Sequence, residues 1–392
     1  MSGEARATEP GMTPPPNRCA ELKPSQARLV LGLLFLVAIV GSIFSWNLGN
    51  LPQRDLAGET QTVRTEVESV DNANNIAPDL QLYRDVTAAV ARGENYYAAV
   101  KPQLLKHGFP IRSTFNWRLP TYAWLFSLLP GPWAIQGLLV LLAAAGLVLH
   151  FRAELTTQGF AAALVSSFLL IGVVKWSVDG LAFYTQELWA AVLILISLGA
   201  IARQETGWRV LAIVAGIAAL LFRELALPYC FWAGAFAVFH HRWKEAAAWS
   251  GGIVLFFAFL FCHSQQVAAQ LTAADLHTPG GGIGQWLKFG GLDFVLLTTR
   301  LNAFLFAAPG PLLFLYLLLS LFGLAAMRAE RFSLQFCAAV SYLAAFCLVG
   351  MTINFYWGLL FAPLLPAGIA AVPSVLNTLW RRAQDQDAAR SS

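Results

Sequence analysis

Charged residues are scarce in this sequence. Asp, Glu, Lys and Arg together make up 12% of its 392 residues, whereas hydrophobic residues make up 57%. Soluble proteins carry about 25% charged residues, so this composition excludes an ordinary soluble domain. The net charge of +4 is small and spread along the chain, so we expect no nucleic-acid partner. We predict an integral, multi-pass membrane protein.

Cysteine is scarce as well, with five residues in the chain. Cys19 lies in the polar N-terminal stretch and the other four lie in apolar runs, so neither long polar loop contains one. We therefore predict no structural disulfide. His240 and His241 have basic neighbours and no nearby cysteine, which favours a surface anchor over a metal site. We expect no metal and no cofactor.

Long apolar runs dominate the rest of the sequence. A bilayer core is crossed by about 20 apolar residues in a helix, and the runs predict about ten transmembrane helices. Residues 121–129 are too short to cross, and we expect them to dip into the membrane. The predicted spans are 28–46, 133–150, 158–174, 186–202, 209–222, 225–239, 246–264, 302–326, 333–352 and 356–374. The fold class is therefore an all-α polytopic membrane protein.

The distribution of Lys and Arg predicts the orientation. With the N-terminus inside, 14 fall on the inner side and four in the outer segments other than the long first loop. Short-loop Lys and Arg prefer the cytoplasmic side, so we place both termini there and expect the cell (inner or plasma) membrane. The predicted domain layout is a disordered tail (1–27), one transmembrane domain (28–374) that contains two outer loops (47–118 and 266–300), and a second tail (375–392).

The first outer loop concentrates polar residues in 78–120. Pro78 suits a first helical turn, and Gly93 and Gly108 suit helix ends, so we predict two short helices at about 79–92 and 94–107. Asp79 shares a face with Tyr83, four residues on. Six residues after Asp79, another acid lies roughly 240° around the helix and points elsewhere; it is Asp85.

Three other polar clusters fall on the same outer side, around Lys175 to Glu187, at Arg223-Glu224, and at the end of the second loop. A site at this membrane face can take one substrate from lipid and another from water. Structural alternatives remain open for each residue. Asp79 could cap its helix, Arg118 could reach toward lipid headgroups, and Arg223 could belong to an ion pair between helices.

Several segments in this order resemble the GT-C superfamily of membrane glycosyltransferases. In the first loop these are DLQLY (79–83), Gly93, Tyr96-Tyr97 and NWRLP (116–120). The later ones are FYTQELWAAVLILI (183–196), GIAALLFRELALPYCFWAG (216–234) and FYWGLLFAPLLPAG (355–368). The sequence is most similar to the polyprenol-phosphate-mannose-dependent mannosyltransferases.

The resemblance implies an inverting hexosyltransferase that moves a sugar from a polyprenyl-phosphate donor to a lipid, glycan or protein acceptor in the cell envelope. It implies Asp79 as catalytic base, since one carboxylate must deprotonate the acceptor hydroxyl. Its position at a helix N-terminus predicts a lowered pKa. The implied substrate-binding residues are Tyr83, Tyr96, Tyr97, Trp117, Arg118, Gln186, Glu187, Arg223 and Arg300. Weaker phosphate-binding candidates are Lys101, Lys106 and Arg112.

A different class of protein fits part of the same pattern. A transporter or flippase of a lipid-linked sugar or small solute would also be polytopic. Such a protein favours charged or broken helices at the middle of the bilayer and often carries inverted repeats. The predicted spans are mostly free of charge and show no clear internal repeat. We therefore retain the transporter as the alternative.

Overall fold

The computed structural model describes residues 17–50, 78–203, 205–276 and 288–390. The regular elements of this part of the chain are all helical, which confirms the predicted fold class. The first long apolar helix is α1. The polar loop forms α2 to α5, the central bundle α6 to α11, and the last third α12 to α16. Their ranges are α1 Pro24–Phe44, α2 Pro78–Ala91, α3 Tyr96–Lys106, α4 Thr114–Trp117, α5 Thr121–Ser127, α6 Pro132–Gln158, α7 Phe160–Val174, α8 Gln186–Ile201, α9 Thr206–Phe222, α10 Leu227–Phe239, α11 Trp243–Gln270, α12 Ala273–Leu276, α13 Gly291–Thr299, α14 Gly310–Ala326, α15 Glu330–Leu348 and α16 Pro366–Arg390.

The apolar helices match the predicted spans. Five in the described ranges are long and apolar enough to cross a membrane. A sixth span forms if the 3-10 segment Thr352–Leu364 and the start of α16, which meet at 46°, are taken together. Four shorter apolar helices, α8, α9, α10 and α14, complete the set of ten. The chain is an integral, multi-pass membrane protein.

Helix α8 is the centre of the bundle. It packs against α6, α9 and the 3-10 helix Thr352–Leu360, and every one of its residues except Leu193 is buried. An apolar helix that is buried on all sides has no lipid-facing stripe. Because α8 begins at Gln186, the polar residues at its N-terminus lie inside the protein rather than at a lipid surface.

The helices of the first loop form as predicted. Helix α2 starts at Pro78, and α3 is capped by the Asn95 side chain, which accepts from the backbone N–H of Tyr97 at 3.0 Å. Gly93 and Gly108 end these helices with φ of 90° and 74°, in the left-handed region that suits glycine. Helix α2 packs on α3 and α5 and so lies over the membrane bundle.

Two backbone contacts join α14 to α16. A Cβ placed on Gly323 would lie 2.0 Å from the carbonyl oxygen of Gly368, and one on Gly368 would lie 2.0 Å from that of Ser320. Small residues allow membrane helices to approach this closely. Helix α1 rests on both partners.

Both ends of the described chain lie at one face of the bundle. The Asn17 amide donates to Thr378 Oγ1 at 2.9 Å, and Arg18 donates to the Ala325 carbonyl at 2.7 Å. Residues 17–27, within the predicted disordered tail, thus form a 3-10 helix and the start of α1, and residues 1–16 lie outside the described ranges. At the other end, α16 continues to Arg390. Alternation of the spans puts α2 to α5 at the opposite face.

Candidate functional site

A hydrogen-bonded chain joins the predicted base to the predicted phosphate-binding arginine. Arg118 Nη2 donates to the Tyr356 hydroxyl at 3.2 Å, and that hydroxyl in turn donates to Asp79 Oδ2 at 3.3 Å. Arg118 Nε donates to the Tyr83 hydroxyl at 2.9 Å. Helix α2, the end of α4 and the 3-10 segment before α16 each supply part of this cluster.

Arg118 is held in an unusual backbone conformation. Its φ is 58°, a left-handed value that costs a non-glycine residue free energy and is concentrated at functional sites. The buried Tyr96 hydroxyl holds this turn by donating to the Trp117 carbonyl, with the Arg118 carbonyl 3.2 Å away. The Trp117 indole donates to the Ile111 carbonyl at 2.8 Å. These contacts fix the direction of the Arg118 side chain.

The direct partners of Arg118 are neutral phenols. Its Nη1 has no hydrogen-bond partner among the described residues. The side chain is partly exposed. A guanidinium in this state keeps its charge and some N–H donors for an anionic ligand.

A buried ion-pair group forms the second half of the site. Arg223 Nε lies 2.6 Å from Glu187 Oε1, and Arg223 also pairs with Glu224. Glu187 and Arg223 are 0% and 2% exposed. Within the described ranges, Glu187 Oε2 has no hydrogen-bond partner. Arg223 therefore forms ion pairs, as the structural alternative from the sequence proposed, and its charge faces two carboxylates.

The two halves act on each other electrostatically. Removal from water raises the pKa of Asp79 above its ordinary value; the Arg118 charge opposes this increase and the Glu187 charge adds to it. The prediction that its position at a helix N-terminus lowers the Asp79 pKa was wrong, because desolvation of the carboxyl raises that pKa. A carboxyl with a raised pKa binds a proton more readily than an ordinary aspartate.

Asp85 points away from this cluster, as its angular position predicts. Its carboxylate pairs with Lys106 at 3.0 Å and Arg84 at 3.3 Å. Partial burial raises the Asp85 pKa, but the hydrogen bonds and charges of Lys106 and Arg84 outweigh that effect and hold it below the ordinary value. The two carboxyls of α2 thus have opposite pKa shifts and separate partners.

Other residues predicted from the sequence make contacts that position the chain. The Tyr97 hydroxyl pairs with His263 Nδ1 at 3.1 Å, and Gln186, fully buried, donates to the Tyr184 carbonyl at 3.4 Å. Arg300 donates to the carbonyls of Gly49 and Phe306 at 2.5 and 2.7 Å.

The weaker lysine candidates are paired as well, Lys101 with Asp275 at 2.6 Å and Lys106 with Asp85. Trp117 and Tyr96 are 1% and 2% exposed. The substrate contacts that we propose therefore do not include Lys101, Lys106, Tyr96, Tyr97, Trp117 and Arg300.

Tyr356 and Asn354 were missed by the sequence analysis. Asn354 is 4% exposed, and its Oδ1 lies 3.4 Å from the Tyr356 hydroxyl. Within the described ranges its Nδ2 has no hydrogen-bond partner. The available signal was a pair of polar side chains at the start of an otherwise apolar span that also contains Pro363 and Pro366.

No group of three potential metal ligands occurs among the residues that the structure describes. No family model and no curated protein matches the chain.

Two solved structures are similar. ArnT from Cupriavidus metallidurans bound to undecaprenyl phosphate is 16% identical with a TM-score of 0.48, over 87% of this chain and 59% of that chain. For ArnT in the apo state the identity is 16% and the TM-score 0.42, over 89% and 60%. This chain therefore spans less than two thirds of the length of the ArnT chain. At these values the similarity assigns no activity by itself.

Proposed function

We propose that this protein is an inverting glycosyltransferase that moves a sugar from a polyprenyl-phosphate donor to a hydroxyl of a lipid, glycan or protein acceptor. The observation that carries the proposal is the Asp79–Tyr356–Arg118 chain. It sets the Asp79 carboxylate one phenol away from the Arg118 guanidinium, which has no direct ion-pair partner among the described residues. Substitution at a glycosyl phosphate needs a proton acceptor on one side and a cation on the other.

The bond changes use these two groups. The acceptor oxygen attacks the anomeric carbon and gives its proton to Asp79. The bond between that carbon and the phosphate oxygen breaks, and its electron pair stays on the phosphate. Arg118 stabilises the charge that grows there, since a guanidinium offers a planar fork to phosphate oxygens. A single displacement inverts the anomeric configuration.

The buried ion pairs have a supporting role in this proposal. Arg223 is already faced by two carboxylates, so it is the weaker phosphate-binding residue of the two arginines. The negative charge of Glu187 raises the Asp79 pKa and thereby makes Asp79 a stronger base. The Tyr83 and Tyr356 hydroxyls orient Arg118.

The membrane setting fits a lipid-linked donor. The site lies at one end of the bundle, at the face opposite to both described chain ends. The bias of Lys and Arg assigns this face to the outside. A donor can then arrive in the outer leaflet of the membrane while the acceptor arrives from lipid or water. We expect a hexose, with mannose as the first sugar to test.

The test is a transfer assay with purified protein and a panel of labelled polyprenyl-phosphate sugars. Undecaprenyl phosphate, the lipid in the ArnT structure, is a suitable carrier for the panel. We expect one donor to release polyprenyl phosphate and label an acceptor with inverted configuration, and Asp79→Asn to abolish both. Movement of an intact donor across sealed vesicles, with no bond cleavage for any donor, would establish the transporter alternative instead.

A further inference from the structure

A groove lies at the membrane face opposite to the candidate site. Its volume is about 250 Å³, and its walls come from the end of α6, the start of α7 and the first half of α16. Helix α6 has 27 residues and rises about 1.5 Å per residue, so its end at Gln158 lies roughly 40 Å from its start at Pro132. The groove therefore belongs to a different region of the molecule from Asp79 and Arg118.

The side walls of the groove are apolar and open toward the surrounding lipid. Ala161 and Val165, one turn apart on α7, line it and are exposed on the surface of the isolated chain. Helix α7 is among the long apolar spans. In a membrane, such a space is filled by hydrocarbon rather than water.

The other end of the groove is polar and fixed in place. Thr157 and Gln158 line it. The Thr157 hydroxyl accepts from Arg331 Nη2 at 2.7 Å, and the Gln158 amide donates to Glu154 Oε2 at 2.6 Å. Arg331 and Glu154 form a buried ion pair at 2.9 Å, which leaves this end without net charge.

A proline adds a backbone acceptor to the groove. Pro373 lies inside α16 and lines the groove together with Ile369. Because proline has no N–H, it cannot donate the helical hydrogen bond to the carbonyl of the residue four positions earlier, which is Ile369. That carbonyl oxygen therefore lacks its regular helical donor. A hydroxyl-bearing lipid headgroup can supply one.

A basic residue follows on the same face of α16. Arg381 comes seven residues after Ser374, which lines the groove, so the two share a face about 10 Å apart. Arg381 is exposed, and an arginine at a membrane surface attracts anionic headgroups.

We propose that the groove binds one molecule of an anionic phospholipid, of the phosphatidylglycerol type, in the leaflet opposite to the candidate site. One acyl chain lies along Ala161 and Val165, the glycerol backbone meets the polar end, and the phosphate and the headgroup hydroxyls lie along α16 between Pro373 and Arg381. This inference is independent of the glycosyltransferase proposal.

Native mass spectrometry of the detergent-purified chain tests the proposal, with phosphatidylglycerol and phosphatidylcholine of identical acyl chains as probes. We expect one retained phosphatidylglycerol and a preference over phosphatidylcholine of about fivefold, the contribution of one basic residue at a membrane surface. Ala161→Leu should remove the retained lipid by filling the groove. Arg381→Ala should keep lipid binding but remove the headgroup preference.

The matched control is Ala258→Leu on α11, another exposed alanine that does not line the groove. It should bind lipid as the wild type does. If Ala161→Leu retains as much phosphatidylglycerol as Ala258→Leu, or if the wild type retains both lipids equally, the protein holds only the nonspecific lipid shell of any membrane protein and the proposal is wrong.

Discussion

Replacing Asp79 by Asn removes the proposed proton acceptor with little change in shape. Asn stabilises helix N-termini about as well as Asp, so α2 should keep its start. The amide oxygen can still accept from the Tyr356 hydroxyl, which is the hydrogen bond that Asp79 makes in the structure. The substitution therefore removes the proposed base while the fold is retained.

General base catalysis contributes about 10²- to 10⁴-fold to a rate. We expect a loss of about 10²-fold or more for Asp79→Asn, because the nearby Glu187 carboxylate is buried and paired with Arg223 at 2.6 Å and so does not replace it as a base. The surface control, Asp85→Asn, breaks pairs with Lys106 and Arg84. Exposed ion pairs contribute about 0–1 kcal/mol to stability, so transfer should change less than about fivefold.

The assay is the release of polyprenyl phosphate per folded, membrane-inserted protein, measured over a range of pH. Asp79 must be ionised to accept a proton, and its pKa lies above the ordinary value. The wild-type rate should therefore fall as the pH is lowered through that raised pKa, and Asp79→Asn should lose this limb of the profile. If Asp85→Asn abolishes transfer while Asp79→Asn retains it, the base has been misassigned.

Three further predictions concern the arginines and the topology. Arg118→Ala should lower the transfer rate by roughly 30- to 1,000-fold and Arg118→Lys should restore only part of it, because lysine lacks the planar fork; comparable activity of the two variants would contradict this reading. Arg223→Ala leaves two carboxylates without their cation, so the yield of folded protein should fall, and an unchanged specific activity would show that Arg223 is structural only. In intact cells lacking the exposed Cys262, an impermeant thiol reagent should label Glu94→Cys and spare Gln384→Cys; the reverse pattern would invert the topology.

The helices of this protein could be predicted because their signals are local. Twenty-residue apolar runs, a proline at the start of α2 and glycines at the ends of α2 and α3 each act over a few neighbouring positions. The separation of Asp79 from Asp85 followed in the same way from the helical period. Conversely, the order of residues 17–27 depends on contacts with residues more than 300 positions away, such as Ala325 and Thr378, for which the sequence carries no local signal.

The site was predicted in part for the same reason. Asp79, Tyr83 and Arg118 lie within one loop, and all three were predicted from the sequence as site residues. Tyr356 joins them from 277 positions after Asp79, and only the folding of the last span onto the loop reveals that contact. The direction of the Asp79 pKa shift also depends on tertiary structure, because it reflects how completely distant segments exclude water from that carboxyl.

The contact of Gly323 with Gly368 has a consequence for how a substrate can enter. At this contact, α14 and α16 touch through backbone atoms, so no side chain lies between them there that could change rotamer and let them slide. With α1 resting on both, these three helices form a closely packed frame. The loop helices contact the bundle through side chains, both in apolar packing and in hydrogen bonds such as Asp79 to Tyr356 and Tyr97 to His263. We therefore expect a donor to gain access by displacement of the loop helices over a stationary frame, not by separation of two halves of the bundle.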